Sequence, residues 1–200
     1  MAITVEPLTG PALARALPAL ARLRIAVFRD WPYLYDGTLD YEESYLAKFA
    51  RARDAVVVAA RDGDEIIGVA TASPLGEHTD RFGPLFAARG FDPARIFYFG
   101  ESVLLTLYRG RGLGHAFFDH REAHARGRRA GDRPFSHSAF CAVVRPADHP
   151  RRPTNYLPLD AFWTKRGYLK QEGMLGSYSW QDIGEASESE KPMQFWIRPL

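Results

Sequence analysis

The chain lacks several of the features that staple, anchor or spread a protein. One cysteine, Cys141, stands among 200 residues, which excludes an internal disulfide. It lies in the apolar run Ala139 to Val144, where a thiol packs as a small, inert hydrophobe. No apolar run reaches 18 residues, so no membrane-spanning helix is expected. The first residues do not follow the basic, apolar and small-residue order of a signal peptide, and a cytoplasmic location is expected. Lysine is scarce, at Lys48, Lys165, Lys170 and Lys191 alone, so arginine carries most of the positive charge. That charge is nearly balanced, at a formal +2. Composition therefore gives no support for a nucleic-acid partner. No metal site is expected.

What remains is ordinary for a globular chain, with 46% hydrophobic and 25% charged residues. Length and the absence of any repeat or composition shift imply one domain over residues 1–200. Ile3 to Glu6 reads as a first strand. A helix is expected from about Pro18, which suits a first-turn position, with Leu20, Leu23, Val27 and Phe28 at helical spacing. It ends by Trp31-Pro32, since the residue before proline avoids helical dihedrals. Thr38 to Arg51 reads as a second helix. Ala55 to Ala60 and Ile66 to Ala72 read as strands joined by the turn Asp62-Gly63-Asp64. A short helix is expected within Arg81 to Arg89. Ile96 to Leu107 is the longest strand candidate. A helix over Leu113 to Arg126, a basic loop through Arg133 and a strand over Ser136 to Val144 follow. Four prolines make Pro146 to Pro158 irregular. Leu159 to Arg166 reads as a short helix capped by Gly167. Tyr168 to Glu172 and Gln194 to Arg198 are closing strands, with Gly184 to Lys191 expected as a mobile loop. The class is α/β, with a right-handed parallel unit at its centre.

The richest segment is Arg109-Gly110-Arg111-Gly112-Leu113-Gly114, between the longest strand and a helix. Glycine allows close approach of backbone to ligand. Unpaired N–H groups at the helix start favour an anion, and the arginines add charged donors. A kinase-type phosphate loop needs Lys-Ser/Thr after the last glycine, but His115 and Ala116 stand there. A dinucleotide fingerprint needs a third glycine where this chain has Phe117. The pattern Arg/Gln-x-x-Gly-x-Gly/Ala fits in register through Arg109, Gly112 and Gly114.

With Phe162-Trp163-x-x-x-Gly167-Tyr168 near the end, that loop resembles the GNAT superfamily of acetyl-CoA-dependent N-acetyltransferases, over most of the chain. The resemblance implies a mixed, mostly antiparallel sheet with a central parallel strand pair, flanked by helices. It implies acetyl-CoA (coenzyme A) as co-substrate. The pantetheine arm would lie along Val103, Leu104 and Leu105, where a splay or bulge opens the strand from its parallel neighbour. The pyrophosphate would meet Arg109, Gly110, Arg111, Gly112, Leu113 and Gly114, with His115 at the same helix start and Asn155 near the adenine end. Arg126, Arg128, Arg129 and Arg133 form a basic run within reach of a ribose phosphate, or a solvated helix end.

Glu101 is the sharpest catalytic candidate. It follows Phe97, Tyr98, Phe99 and Gly100 in a run otherwise free of charge, and burying a lone carboxylate is costly. Amine acetylation needs a base, because an ammonium group has no lone pair. Many family members carry a tyrosine acid where this chain has Trp163. Indole is no usable acid, so Trp163 is expected against the pantetheine or the core, with Tyr156 as the substitute acid. Trp31, Tyr33 and Tyr35, with Tyr41, are candidates for an aromatic acceptor wall. The expected activity is direct acetyl transfer to a primary amine, carried by a small molecule or a protein. The alternative is a non-catalytic acyl-CoA-binding or sensor domain of the same fold. The resemblance also admits a homodimer.

Overall fold

A computed structural model describes residues 2–49 and 51–200 of the protein. Seven strands form one sheet: β1 (Ile3–Leu8), β2 (Val56–Asp62), β3 (Glu65–Pro74), β4 (Ile96–Leu104), β7 (His137–Val143), β8 (Leu169–Trp180) and β9 (Ser189–Pro199). Their order is β1-β2-β3-β4-β7-β9-β8. Every neighbouring pair is antiparallel except β4 and β7, which run parallel. A separate hairpin joins β5 (Arg129–Ala130) to β6 (Arg133–Pro134), where a plain basic loop was expected. Among the described residues there are five α-helices: α1 (Gly10–Phe28), α2 (Leu39–Phe49), α3 (Thr79–Ala87), α4 (Leu113–Arg126) and α5 (Asp160–Lys165). The mixed, mostly antiparallel α/β class is the one expected.

Alternation along the strands explains the layers. Val57, Ala59 and Val69 face α1 and α2, against Leu13, Leu20, Leu46 and Phe49. Val56, Val58, Ile67, Phe97 and Phe99 face the other way, against Leu113, Phe117 and Phe118 of α4 and Phe140 of β7. A third cluster joins α3 to the far half of the sheet through Phe82, Phe86, Tyr98, Met193 and Phe195. Each such fully buried side chain contributes about 1.5–3 kcal/mol of hydrophobic stabilisation.

Several boundaries depart from expectation. α1 starts at Gly10, not near Pro18, and carries Pro18 inside the helix. Its buried stripe Leu13, Ala16 and Leu20 runs through that proline, so packing outweighs the missing N–H. The second helix ends at Phe49, and Ala50 lies outside the described residues. The long strand candidate stops at Leu104, and Thr106–Tyr108 form a 3-10 turn. β8 reaches Trp180, and β9 starts at Ser189. The expected 184–191 loop is therefore partly strand, with Ser189 and Glu190 exposed at the end of a two-strand ladder and Lys191 buried. Among the described residues, no helix is long and apolar enough to cross a membrane.

Candidate functional site

Two half-sites meet at the middle of β4. On one side is the glycine loop. Gly110 and Gly112 take φ of 77° and 80°, the left-handed region that favours glycine. Gly112 caps α4 without any side-chain cap. A Cβ at either glycine would meet only open space, so the backbone demands glycine and the surroundings leave room for a ligand. Among the described residues, the N–H groups of residues 110–114 have no acceptor. The expected cradle is narrower at both ends. The Arg109 N–H donates to the Thr106 carbonyl at 3.2 Å, and the His115 N–H to the Gly112 carbonyl at 2.9 Å. The His115 ring lies 4.9 Å from that of Phe162. The two arginine side chains fold back onto the chain: Arg109 Nε donates to the Leu104 carbonyl and Arg111 to that of Leu107.

The strand leading to this loop is open on one flank. β4 pairs with β7 only at Ile96, Phe97 and Tyr98, although both strands run on, to Leu104 and Val143. Beyond Tyr98 the two parallel strands part. The flank towards β3 stays paired through Val103 and Leu104, and the Leu105 N–H donates to the Ile67 carbonyl. Val103 and Leu104 thus border the splay, whereas the Leu105 N–H is spent on β3.

At the point of parting, β4 also carries a bulge. Ala70 pairs with Ser102 and Ala72 with Phe99, so Gly100 and Glu101 together oppose Thr71. The extra residue reverses the alternation: Phe97 and Phe99 face α4, but Val103 faces α1 and α2. Glu101 is thereby turned towards α1. The groups freed by the bulge are satisfied by side chains. The Glu101 N–H donates to Thr71 Oγ1 at 3.1 Å. Arg121 of α4 donates to the carbonyls of Thr71 and Glu101, at 3.3 and 3.4 Å. Arg121 is 1% exposed, with its guanidinium over the rings of Phe99 and Phe118. Burial lowers it to about 10. A Cβ at Gly100 would stand 2.6 Å from Thr71 Oγ1, which keeps that position glycine.

On the α1–α2 side lies a cavity of about 120 Å³, lined by Arg24, Phe28, Tyr33, Tyr35, Tyr45, Tyr98, Glu101, Cys141 and Trp180 among others. Arg24 Nη1 is 2.9 Å from Glu101 Oε2, and its Nε contacts Glu42. Both carboxylates are buried. Burial alone would lower the Arg24 guanidinium, but Glu101, Tyr45 and Glu42 outweigh it and hold the guanidinium above its usual range. The second Glu101 oxygen, Oε1, is buried with no partner among the described residues. Burial pushes the hydroxyls of Tyr33, Tyr35 and Tyr45 up, so they stay neutral. The Tyr98 hydroxyl sits 3.1 Å from Cys141 Sγ and 3.4 Å from the Tyr178 hydroxyl. Burial pushes the Cys141 thiol up to about 12, which suits packing and not nucleophilic attack.

The other sequence candidates distribute as follows. Tyr33 and Tyr35 line the cavity, with Tyr41. Trp31, expected in the same wall, is not among the lining residues; its ring lies 4.9 Å from His149 and 5.9 Å from Tyr156. Tyr156 is half-buried under Arg152, and burial raises its hydroxyl. Trp163 is packed between Phe140 and Trp196, at 5.1 and 5.2 Å. Asn155 is exposed in the loop before α5. Of the basic run, Arg126 approaches Glu122, Arg128 approaches Asp54 and Arg133 pairs with Asp92, so these three are surface ion-pair partners. Sequence reasoning missed Arg24, Glu42 and Arg121. A signal existed for Arg121: Phe118, Arg121, Glu122 and Ala125 share one helical face, which puts two charges on the buried side. Nothing local marks Arg24 and Glu42, which lie on different helices.

With this geometry in place, likeness to known proteins can be stated. A model described as the acetyltransferase (GNAT) family matches residues 20–137. No curated protein matches the chain by sequence. Among solved structures, the chain is similar to a ribosomal-protein-alanine N-acetyltransferase from Brucella melitensis, at 15% identity and TM-score 0.58, covering 98% of this chain and 99% of that one. It is similar to Arabidopsis thaliana NAA60 in complex with acetyl-CoA, at 15% identity and TM-score 0.59, covering 100% and 99%. It is also similar to a PaiA N-acetyltransferase from Thermoplasma acidophilum in complex with coenzyme A, at 12% identity and TM-score 0.55, covering 100% of both. Identities this low establish a shared fold.

Proposed function

Because the chain belongs to the acetyltransferase (GNAT) family, an acyltransferase family that uses acetyl-CoA, we propose that it moves the acetyl group directly to a primary amine, with Glu101 as base. The observation that carries this reading is the Glu101 carboxylate. One oxygen is held by Arg24 at 2.9 Å. The other is buried and unpartnered among the described residues, and the residue lines the cavity beside the flank where β4 leaves β7.

The residues fit the donor. N–H groups of residues 110–114 and the α4 N-terminus suit a pyrophosphate, and the open flank of β4 suits an amide-bearing arm. When bound there, acetyl-CoA supplies the thioester carbon. Glu101 takes a proton from the ammonium form of the acceptor, directly or through a water, and frees the nitrogen lone pair. The nitrogen forms the new C–N bond as the C–S bond breaks, sulfur leaves as thiolate, and the second proton shed by the nitrogen passes to that thiolate or to water. An N–H on the open flank of β4 stabilises the charge gathering on the acetyl oxygen. A thiolate with a pKa of about 8.5 leaves without an obligatory acid near neutral pH. That relieves Trp163 of a chemical role and leaves Tyr156 as the residue to test for one.

The discriminating experiment is CoA release with a panel of amines, for the native protein and Glu101→Gln. Turnover that collapses in the variant while acetyl-CoA binding persists supports the reading. Tight acetyl-CoA binding with no turnover on any amine favours the binding or sensor alternative. Lost turnover in Cys141→Ala with intact donor binding would overturn direct transfer.

A further inference from the structure

We infer that the α1–α2 cavity takes a small primary amine as its monocation and rejects the same amine when it carries a carboxylate. This rests on the reading of Glu101 as base and names the acceptor class for that site.

Charge carries the argument first. Among the described residues, Arg24 and Glu101 are the only charged side chains lining the cavity. Arg24 is committed: it contacts Glu42 and Glu101 and lies over the rings of Tyr45 and Phe28, 4.7 and 5.2 Å from their centres. On the cavity side two carboxylates meet one guanidinium; the other buried guanidinium near Glu101, that of Arg121, is turned to the backbone carbonyls of Thr71 and Glu101, so the carboxylate keeps an oxygen without a donor, a state that a bound cation relieves. The Glu101 side chain is 6% exposed, and its Oε1, like Oε1 of Glu42, is a buried acceptor with no donor among the described residues. An ammonium group supplies both the charge and the donor. The ring faces around it add cation–π attraction.

The neighbouring cations are committed as well. Arg145 is bidentate on Asp182 and donates to the carbonyls of Pro32 and Tyr33. Lys191 bonds Glu185 at 2.9 Å. A substrate carboxylate would therefore enter beside Glu101, where Arg24, Arg145 and Lys191 are each already paired with a carboxylate.

Size and enclosure point to a small molecule. A cavity of about 150 Å³ holds one benzene, so about 120 Å³, open at its mouth, suits the amine end of a single-ring or short-chain molecule, the rest lying in the mouth. One edge is sewn shut. Trp180 Nε1 donates to the Tyr33 carbonyl at 3.0 Å, the Asp36 N–H to Gln181 at 2.9 Å and the Ile183 N–H to Leu34 at 2.7 Å, and Tyr35 bridges to Asp182. An extended peptide has no gap to follow between those two segments.

The test is a matched trio: 2-phenylethylamine, phenylalanine and an alanine-led tripeptide. Each is measured for CoA release under saturating acetyl-CoA, and for direct binding by calorimetry without the donor. The expected result is a preference of about 100-fold or more for phenylethylamine over phenylalanine in both readouts, the scale of leaving a buried charge unpaired. Weaker phenylethylamine binding to Glu101→Gln is also expected. Equal or better binding of phenylalanine or the tripeptide overturns the inference but leaves acetyl transfer intact. No binding of phenylethylamine overturns it too. Selective binding of phenylethylamine with no turnover of any acceptor supports the acceptor class and defeats the assignment of Glu101 as base.

Discussion

The proposed donor loop and the proposed acceptor cavity sit on either side of the same strand, yet they are built by different means. The loop is local. Residues 109–114 are contiguous, exposed for the most part, and work through backbone conformation. The cavity is assembled from α1, α2, β4, β7, β8 and β9, and works through buried side chains. Backbone recognition of a phosphate tolerates wide sequence change outside its glycines. A cavity of converging side chains depends on every element that brings them together.

The contrast can be broken most forcefully at Glu101. Glu101→Gln should lower kcat by about 10²–10⁴, the usual range for a lost general base, with the acetyl-CoA KM little changed. A variant that instead raised only the donor KM would merge the two half-sites. Cys141 offers a second test on the cavity side. With its thiol pushed up to about 12, the thiolate fraction at pH 8 falls on the order of 1,000-fold below that of a free cysteine. Alkylation of native protein should be slower by that factor and should speed up as pH rises towards the raised value. Fast labelling at pH 8 would show that the cavity is more open than the structure has it.

Arg121→Met tests whether the bulge needs its buried donor. Leaving the carbonyls of Thr71 and Glu101 unsatisfied should cost about 2–4 kcal/mol in denaturant unfolding. The surviving folded fraction should lose kcat more than donor affinity. On the loop side, Gly112→Ala must hold an alanine at a φ of 80°. That costs about 1–2 kcal/mol, so acetyl-CoA affinity should fall about tenfold with the pH profile of kcat unmoved. The smallest effect is expected at Tyr156→Phe, within about twofold in kcat, as for a side chain outside the chemistry. A larger drop would make Tyr156 the acid and extend the site to the 146–158 loop.

Much of the fold was legible because its signals are periodic or local. The turn Asp62-Gly63-Asp64, the helix from Leu113 and the glycine register each rest on neighbours in sequence. The start of α1 was misplaced because Pro18 argues for a first turn, whereas the buried stripe from Leu13 to Leu23 supports helix on both sides of it. The 184–191 segment was read as a loop because polar residues give no alternation, and its strand end exists only through pairing with β8. Glu101 was legible as a lone charge in an apolar run. Its partners Arg24 and Glu42 were not, since each lies on a helix whose face is defined only by docking.

The sequence by itself determined the donor chemistry: left-handed glycines before a helix make an anion cradle in any surroundings that leave them open. It also determined which strand carries the proposed base. Only the tertiary structure decided where that base points. One extra residue opposite Thr71 reverses the alternation of β4, and a bulge is a property of pairing between strands, not of either strand alone. The acceptor cavity is tertiary for the same reason, since its charge balance joins Glu101 to groups 59 and 77 positions away in the chain, at Glu42 and Arg24.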